Sequence, residues 1–215
     1  MGNRKNEAVV LLHGLGLSDL FMKRIEFNLE ENGFDVFNID YDSRKQAIEG
    51  SIKQVIDELD TIVLKKYDRV HFVGHSLGSI IMRDLLSSEC ISNEGIAIAL
   101  APPNHGSMLA DRLSVFMLYR WYFGKVGLQL GEDSEYLRSL KFVPEAYYVI
   151  AGDKSSGTLF GRWFDELSDG TVSLKSTELE GMDKNRHLVY PVTHLGVLYN
   201  EKVVKKVVDV LCEVD

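Results

Sequence analysis

Short runs of consecutive apolar residues alternate along the chain with stretches in which apolar residues recur every three or four positions. That order arises when helices cross over between parallel strands. Six runs read as strands: Ala8 to Leu12, Phe34 to Ile39, Val70 to Val73, Ile96 to Leu100, Tyr147 to Ala151 and His187 to Tyr190. Most are apolar throughout, as strands covered on both faces require. Between them, Ile52, Val55, Ile56, Leu59, Ile62 and Val63 form one helical stripe, and Ser51 with Gln54 reads as a capping box at its start. A helix from about Ser18 to Glu31 buries Phe21, Ile25 and Leu29 and stops at Asn32-Gly33, a pair suited to a left-handed cap. A third begins at or just after Ser76 and carries Ile80, Ile81 and Leu85. The last runs from Asn200 to Leu211 with Val203, Val204, Val207, Val208 and Leu211 on its inner face. The pattern predicts an α/β fold, a mostly parallel central sheet with helices on both faces.

Two segments break the alternation. Residues 107–142 include VFMLYRWYFG, dense in aromatic and aliphatic side chains where an insertion would interrupt the sheet order. Gly152 to Ser168 is longer than the usual connection in a compact domain, and such loops often carry function. No internal repeat or low-complexity tract accompanies them.

Composition narrows the classes. At 215 residues, 45% hydrophobic and 26% charged, the chain has the length and balance of one globular domain, 1–215, with the 107–142 stretch as an insertion. A net charge of −8 argues against nucleic acid as a partner, because phosphate binding needs clustered Lys and Arg. Cys90 and Cys212 lie far apart without metal-ligand spacing, so buried thiols are expected, with neither a disulfide scaffold nor a metal site. The first strand follows the start too closely for a hydrophobic signal segment, and Asn6 stands where a lipid-anchor signal after Gly2 wants Ser or Thr. No run is long enough to span a bilayer. These features predict a cytoplasmic protein without an anchor.

The chemistry centres on Gly74-His75-Ser76-Leu77-Gly78. A G-x-S-x-G string means little alone, but here it directly follows the strand VHFV and opens an amphipathic helix, which is the setting of a nucleophile elbow. The glycines give the turn room where its backbone meets the neighbouring strand and helix. A tetrahedral intermediate would need two backbone N–H donors for its oxyanion. Leu77, first in the helix, offers one, and Leu15, in the Leu12-His13-Gly14-Leu15-Gly16 loop after the first strand, offers the other. His13 then buttresses the loop.

Six histidines compete for the base, and the chain order serine, acid, histidine leaves His105, His187 and His194. His187 lies in a strand and His105 suits the rim of a site, which leaves His194 in the loop before the final helix. For the acid, Asp153 and Asp169 both follow the fifth strand. Asp153 hugs the strand end, whereas Asp169 precedes Gly170-Thr171-Val172, a turn able to aim a carboxylate, so Asp169 is the favoured of the two. Asp165 and Asp183 read as solvated loop charges.

HGLG, GHSLG, APPNHGS, SDGTV and VTHLGVLY, in that order over almost the whole chain, resemble the α/β-hydrolases, in particular small bacterial lipases and the lipase-like branch that includes GPI inositol-deacylase homologues. The resemblance implies Ser76 as nucleophile, Asp169 as acid, His194 as base, the Leu15 and Leu77 amides as oxyanion donors, and ester or acyl substrates without a cofactor or metal. The leading antiparallel strands of larger members have no counterpart here, and the aromatic insertion has none in the smallest lipases. Within that insertion Val115 to Phe123 reads as a lid or pocket wall, with ordinary core packing as the alternative; as a lid it would bring Trp121 and Phe123 to the acyl chain and leave a transient lipid-surface contact open. Thioester or amide cleavage would use the same residues, and an inactive binding module is the alternative of a different class. A histidine base further implies a rate that falls in acid.

Overall fold

The computed structural model describes residues 6–62, 64–88, 91–140, 143–155 and 163–212. Val63, Cys90, the 141–142 end of the insertion, residues 156–162 of the long loop and the start around Gly2 lie outside the described residues. The six strands are β1 (Glu7–Leu12), β2 (Asp35–Ile39), β3 (Arg69–His75), β4 (Glu94–Leu100), β5 (Tyr147–Gly152) and β6 (His187–Tyr190). All pair in parallel, in the spatial order β2-β1-β3-β4-β5-β6. Each expected strand is present, within two residues at either end.

Side chains alternate across the sheet, so each strand feeds two cores. Val10, Leu12, Phe72, Ala97, Ala99 and Val149 point to one face, packed by Val55 and Leu59 of α2 (Ile48–Ile62) and Ile80 and Ile81 of α3 (Leu77–Ser87). Val9, Leu11, Val73, Ile98, Leu100 and Ile150 point to the other, covered by Ile25 and Leu29 of α1 (Lys23–Glu31) and Val203, Val204 and Val207 of α7 (Glu201–Cys212). Three helices enter between β4 and β5: α4 (Met108–Ser114), α5 (Met117–Gln129) and α6 (Glu135–Ser139). Val126, Leu130 and Leu137 of this region join the first core. No described helix is long and apolar enough to cross a membrane.

Local chemistry sets several element ends. Gly33 adopts φ +90°, its N–H donates to Glu30 and Phe34 N–H donates to Leu29, which closes α1 with a Schellman motif. Phe34 therefore belongs to the cap rather than to β2. The expected helix from Ser18 splits into a 3-10 turn, Asp19–Met22, followed by α1. At the last helix the Asn200 side chain accepts from Lys202 N–H and Val203 N–H.

Two expectations are corrected. Ser51 and Gln54 do not cap α2, which starts a turn earlier at Ile48, because Gln129 Oε1 from α5 accepts the Ile48 N–H. Ser51 Oγ instead donates to the Asp42 carbonyl, and Gln54 Oε1 accepts the Asp42 N–H. Cys212, at the end of α7, is half-buried rather than buried.

Candidate active site

The C-terminal ends of β1, β3, β4 and β5 carry the loops that build the site. At the end of β3 the chain reverses into α3 within one residue, and Ser76 takes φ 52°, ψ −117°, a conformation that side-chain-bearing residues rarely adopt. Its N–H donates to Leu100 of β4 over 2.9 Å, which holds the turn against the sheet. A Cβ at Gly74 would lie 2.6 Å from Gly78 and Ser79 backbone, and one at Gly78 would overlap the Leu12 carbonyl oxygen. Both glycines are therefore required by contact.

Ser76 Oγ donates to His194 Nε2 over 3.0 Å, and His194 Nδ1 donates to Asp169 Oδ2 over 2.7 Å. The other Asp169 oxygen accepts Thr171 N–H at 2.9 Å and Val172 N–H at 2.8 Å, so the turn after Asp169 aims the carboxylate and meets its remaining acceptor capacity. His194 N–H also donates to the Asp169 carbonyl. Asp169 is 1% exposed and Ser76 7%, while the His194 side chain keeps 13% exposure toward solvent. Gly152 at the end of β5 makes the approach possible, since a Cβ there would meet Val192 backbone and the Asp169 side chain. Asp153 is tied by its N–H to Tyr190, in the turn beside β6, and it is Asp169 that reaches the imidazole.

The 13–16 loop lies directly against Ser76: a Cβ on Gly14 would be 3.2 Å from Ser76 Cβ. Gly16, at φ +71°, donates its N–H to Ser43 Oγ over 3.0 Å, which sets the path of the backbone through Leu15. His13 is fully buried, stacks on Tyr41 with centroids 4.2 Å apart and accepts Tyr41 Oη–H on its carbonyl. Burial pushes its pKa down, against the opposing pull of its hydrogen bond to Gly14 and of Asp40. Leu77 N–H is the first amide of α3, a position that a helix leaves without an intrahelical carbonyl.

The insertion borders this corner. Phe123 borders the 13–16 loop, where a Cβ on Gly16 would come within 2.9 Å of its ring. Trp121 points outward and is 79% exposed. Gly124, at φ 54° and ψ −141°, kinks α5 where a Cβ would press on the Arg44 carbonyl, and Arg44 donates to Tyr122 Oη over 3.1 Å.

His105 is exposed, with its N–H donating to Ser176, and it lines a cavity of about 910 Å³ together with Glu132, Ser176, Lys184 and His187. Ser76, Asp169 and His194 do not line that cavity. Three supporting residues carry weaker signals in the sequence. Ser107 Oγ donates to the Thr171 carbonyl, bracing the acid turn, and accepts from Ala110 as the cap of α4. Ser43 holds Gly16, and nothing in the local pattern around it predicts that contact. His75, inside the elbow motif, packs beside His194.

A parallel sheet of this order, with a strand–serine–helix turn at its centre and a histidine loop before the last helix, is the α/β-hydrolase fold of lipases and esterases. The chain is similar to the mature Bacillus licheniformis lipase BlEst2, with a TM-score of 0.80 and 19% identity over 98% of this chain and 94% of that one. A metagenomic carboxyl esterase, MGS0156, aligns at TM-score 0.68 and 16% identity over 90% of this chain and 66% of that one. The Pyrococcus furiosus esterase Pf2001 aligns at 0.63 and 16% over 99% and 85%. No family model and no curated protein matches the sequence.

Proposed function

We propose that the chain hydrolyses carboxylic esters through an acyl-enzyme on Ser76. The observation that carries this reading is the continuous relay from Asp169 through both nitrogens of His194 to Ser76 Oγ, at 2.7 and 3.0 Å. As Ser76 Oγ attacks the ester carbonyl carbon, His194 Nε2 takes its proton, and Asp169 holds the tautomer with the lone pair on Nε2 and balances the imidazolium. The Leu15 and Leu77 amides stabilise the oxyanion, each such donor being worth roughly 3 kcal/mol of barrier. His194 returns the proton to the leaving alkoxide, and water then attacks the acyl-enzyme by the same route. Ester and water are the only reactants, so the scheme uses no cofactor.

In this reading residues 107–142 cap a single domain. Phe123 forms the wall beside Gly16, and Trp121, with the exposed Val115, Phe116, Met117 and Leu118, offers an apolar surface to an acyl chain or, transiently, to a lipid surface.

A fluorophosphonate probe tests the nucleophile, with p-nitrophenyl esters of two to sixteen carbons as substrates. Wild type should label and turn over, and Ser76→Ala should do neither. Labelling that persists in Ser76→Ala, or a wild type that neither labels nor hydrolyses, refutes the reading. Thioester and amide substrates in the same panel separate the leaving groups. In Trp121→Ala and Phe123→Ala the preference should move toward short chains, and an unchanged preference removes the cap from the substrate site.

A further inference from the structure

His75 is the last residue of β3, 1% exposed, one residue before the nucleophile. Its Nε2 makes a 3.0 Å hydrogen bond to the backbone carbonyl of His194, and the two rings pack with centroids 4.9 Å apart at 48°. A carbonyl only accepts, so Nε2 carries the proton and donates. Nδ1 has no hydrogen-bond partner among the described residues, and a Cβ on Gly14 would lie 2.7 Å from it. The ring is thus wedged between the oxyanion loop and the histidine loop, and it stands on the strand that delivers the serine.

A buried nitrogen left unpaired is a cost that an apolar side chain of the same size would avoid, so packing alone does not select histidine here. The donor bond does. Residue 194 is held on the β5 side by Asp169, through the ring and through its own N–H. On the β3 side, His75 holds its carbonyl. Without the second tie the imidazole is anchored on the acid's side alone, and its distance to Ser76 Oγ becomes free to vary.

We propose, on the basis of the esterase reading, that His75 is a positioning residue: its Nε2–H fastens the His194 backbone to the elbow and so sets the reach of the base to the nucleophile. Burial, with a smaller contribution from the neighbouring His194, keeps the ring neutral by pushing its pKa well below the usual histidine range. A neutral ring donating from Nε2 leaves the lone pair on Nδ1, so only one tautomer satisfies the site.

Two substitutions separate this role from filling space. Gln can place its amide N–H where Nε2–H lies, while Phe matches the ring but donates nothing. The proposal expects kcat for a short p-nitrophenyl ester to fall about 10- to 100-fold in His75→Phe, as expected when a reacting group is misplaced by a fraction of an ångström to an ångström. In His75→Gln it should stay within about threefold of wild type, with KM nearly constant in both. A Phe variant as active as wild type, or more active than the Gln variant, overturns the proposal, because packing alone predicts that order. Nitrogen-15 NMR of the wild-type imidazoles gives a second reading that needs neither variant to fold nor the enzyme to turn over. A neutral His75 protonated at Nε2 from pH 5 to 8 supports the proposal, and an Nδ1–H tautomer or an imidazolium in that range overturns it. Failure of wild type to hydrolyse esters would instead refute the proposed function, while the tautomer still decides whether His75 makes its tie.

Discussion

The backbone at Ser76 makes a prediction about stability that can be measured without any substrate. At φ 52° and ψ −117° an L side chain crowds its own peptide groups, and such a residue stores roughly 1–3 kcal/mol. The surroundings enforce the conformation: Ser76 N–H is pinned to Leu100, and glycines at 74 and 78 pack backbone against backbone on either side. Ser76→Ala and Ser76→Gly both remove the hydroxyl and its hydrogen bond to His194, so that loss cancels between them. Glycine relieves the strain but adds unfolded-state entropy of roughly 0.5–1 kcal/mol. The difference is a gain of about 1 kcal/mol for the glycine variant, which at this chain length corresponds to a midpoint about 2–4 °C higher than that of the alanine variant. Circular dichroism melts of the two variants at neutral pH read this directly. An alanine variant melting level with or above the glycine variant would refute the claim that Ser76 sits on a strained turn.

Gly78→Ala places a methyl on the Leu12 carbonyl oxygen, a backbone contact that cannot yield without moving β1 from α3. Stability should drop by about 3 kcal/mol or the protein should fail to fold, and a wild-type urea midpoint would contradict the geometry. Stability should also decline in acid, because burial lowers the pKa of His75, His13 and His187 in the folded chain while the unfolded chain takes up protons near the ordinary value of about 6.5. The folded state therefore binds fewer protons as pH drops below that value, and its stability falls toward the depressed folded pKa. His75, held furthest below the ordinary range by burial, contributes to this loss as pH falls below about 6.5. Urea midpoints at about pH 7 and about pH 5 should differ by less in His75→Gln than in wild type, and equal differences would show that His75 does not stay neutral.

The strands and the elbow were legible because their causes are local. Short apolar runs such as AVVLL and IAIAL suit strands buried on both faces, and Gly74 answers a steric demand of the turn itself, whereas Gly78 answers the approach of the β1 end. Gly33 stops α1 by its own backbone freedom. Other features depend on side chains brought from far away. The start of α2 is set by Gln129, 81 residues away, whereas the local Ser51–Gln54 pattern pointed a turn too late. The outward aim of Trp121 and the kink at Gly124 depend on how α5 leans on the Arg44 loop, which periodicity within the helix does not encode.

The same division runs through the site. Residue types and their order singled out Ser76, Asp169 and His194, with Asp153 still a competitor, while the choice between the two carboxylates was made by packing. Asp169 reaches His194 across 25 residues because its turn hydrogen-bonds its own oxygen, and His194 meets Ser76 across 118 because β3 and β6 end on the same side of one parallel sheet. Chain order set His75 aside as a base and gave it no other role, since a buried ring and the carbonyl of a distant loop become partners only once the loops close over the sheet. Periodicity and steric demand act within a few bonds of each residue and so can be read along the chain, whereas hydrogen bonds between distant loops exist only after the cores on both faces have formed.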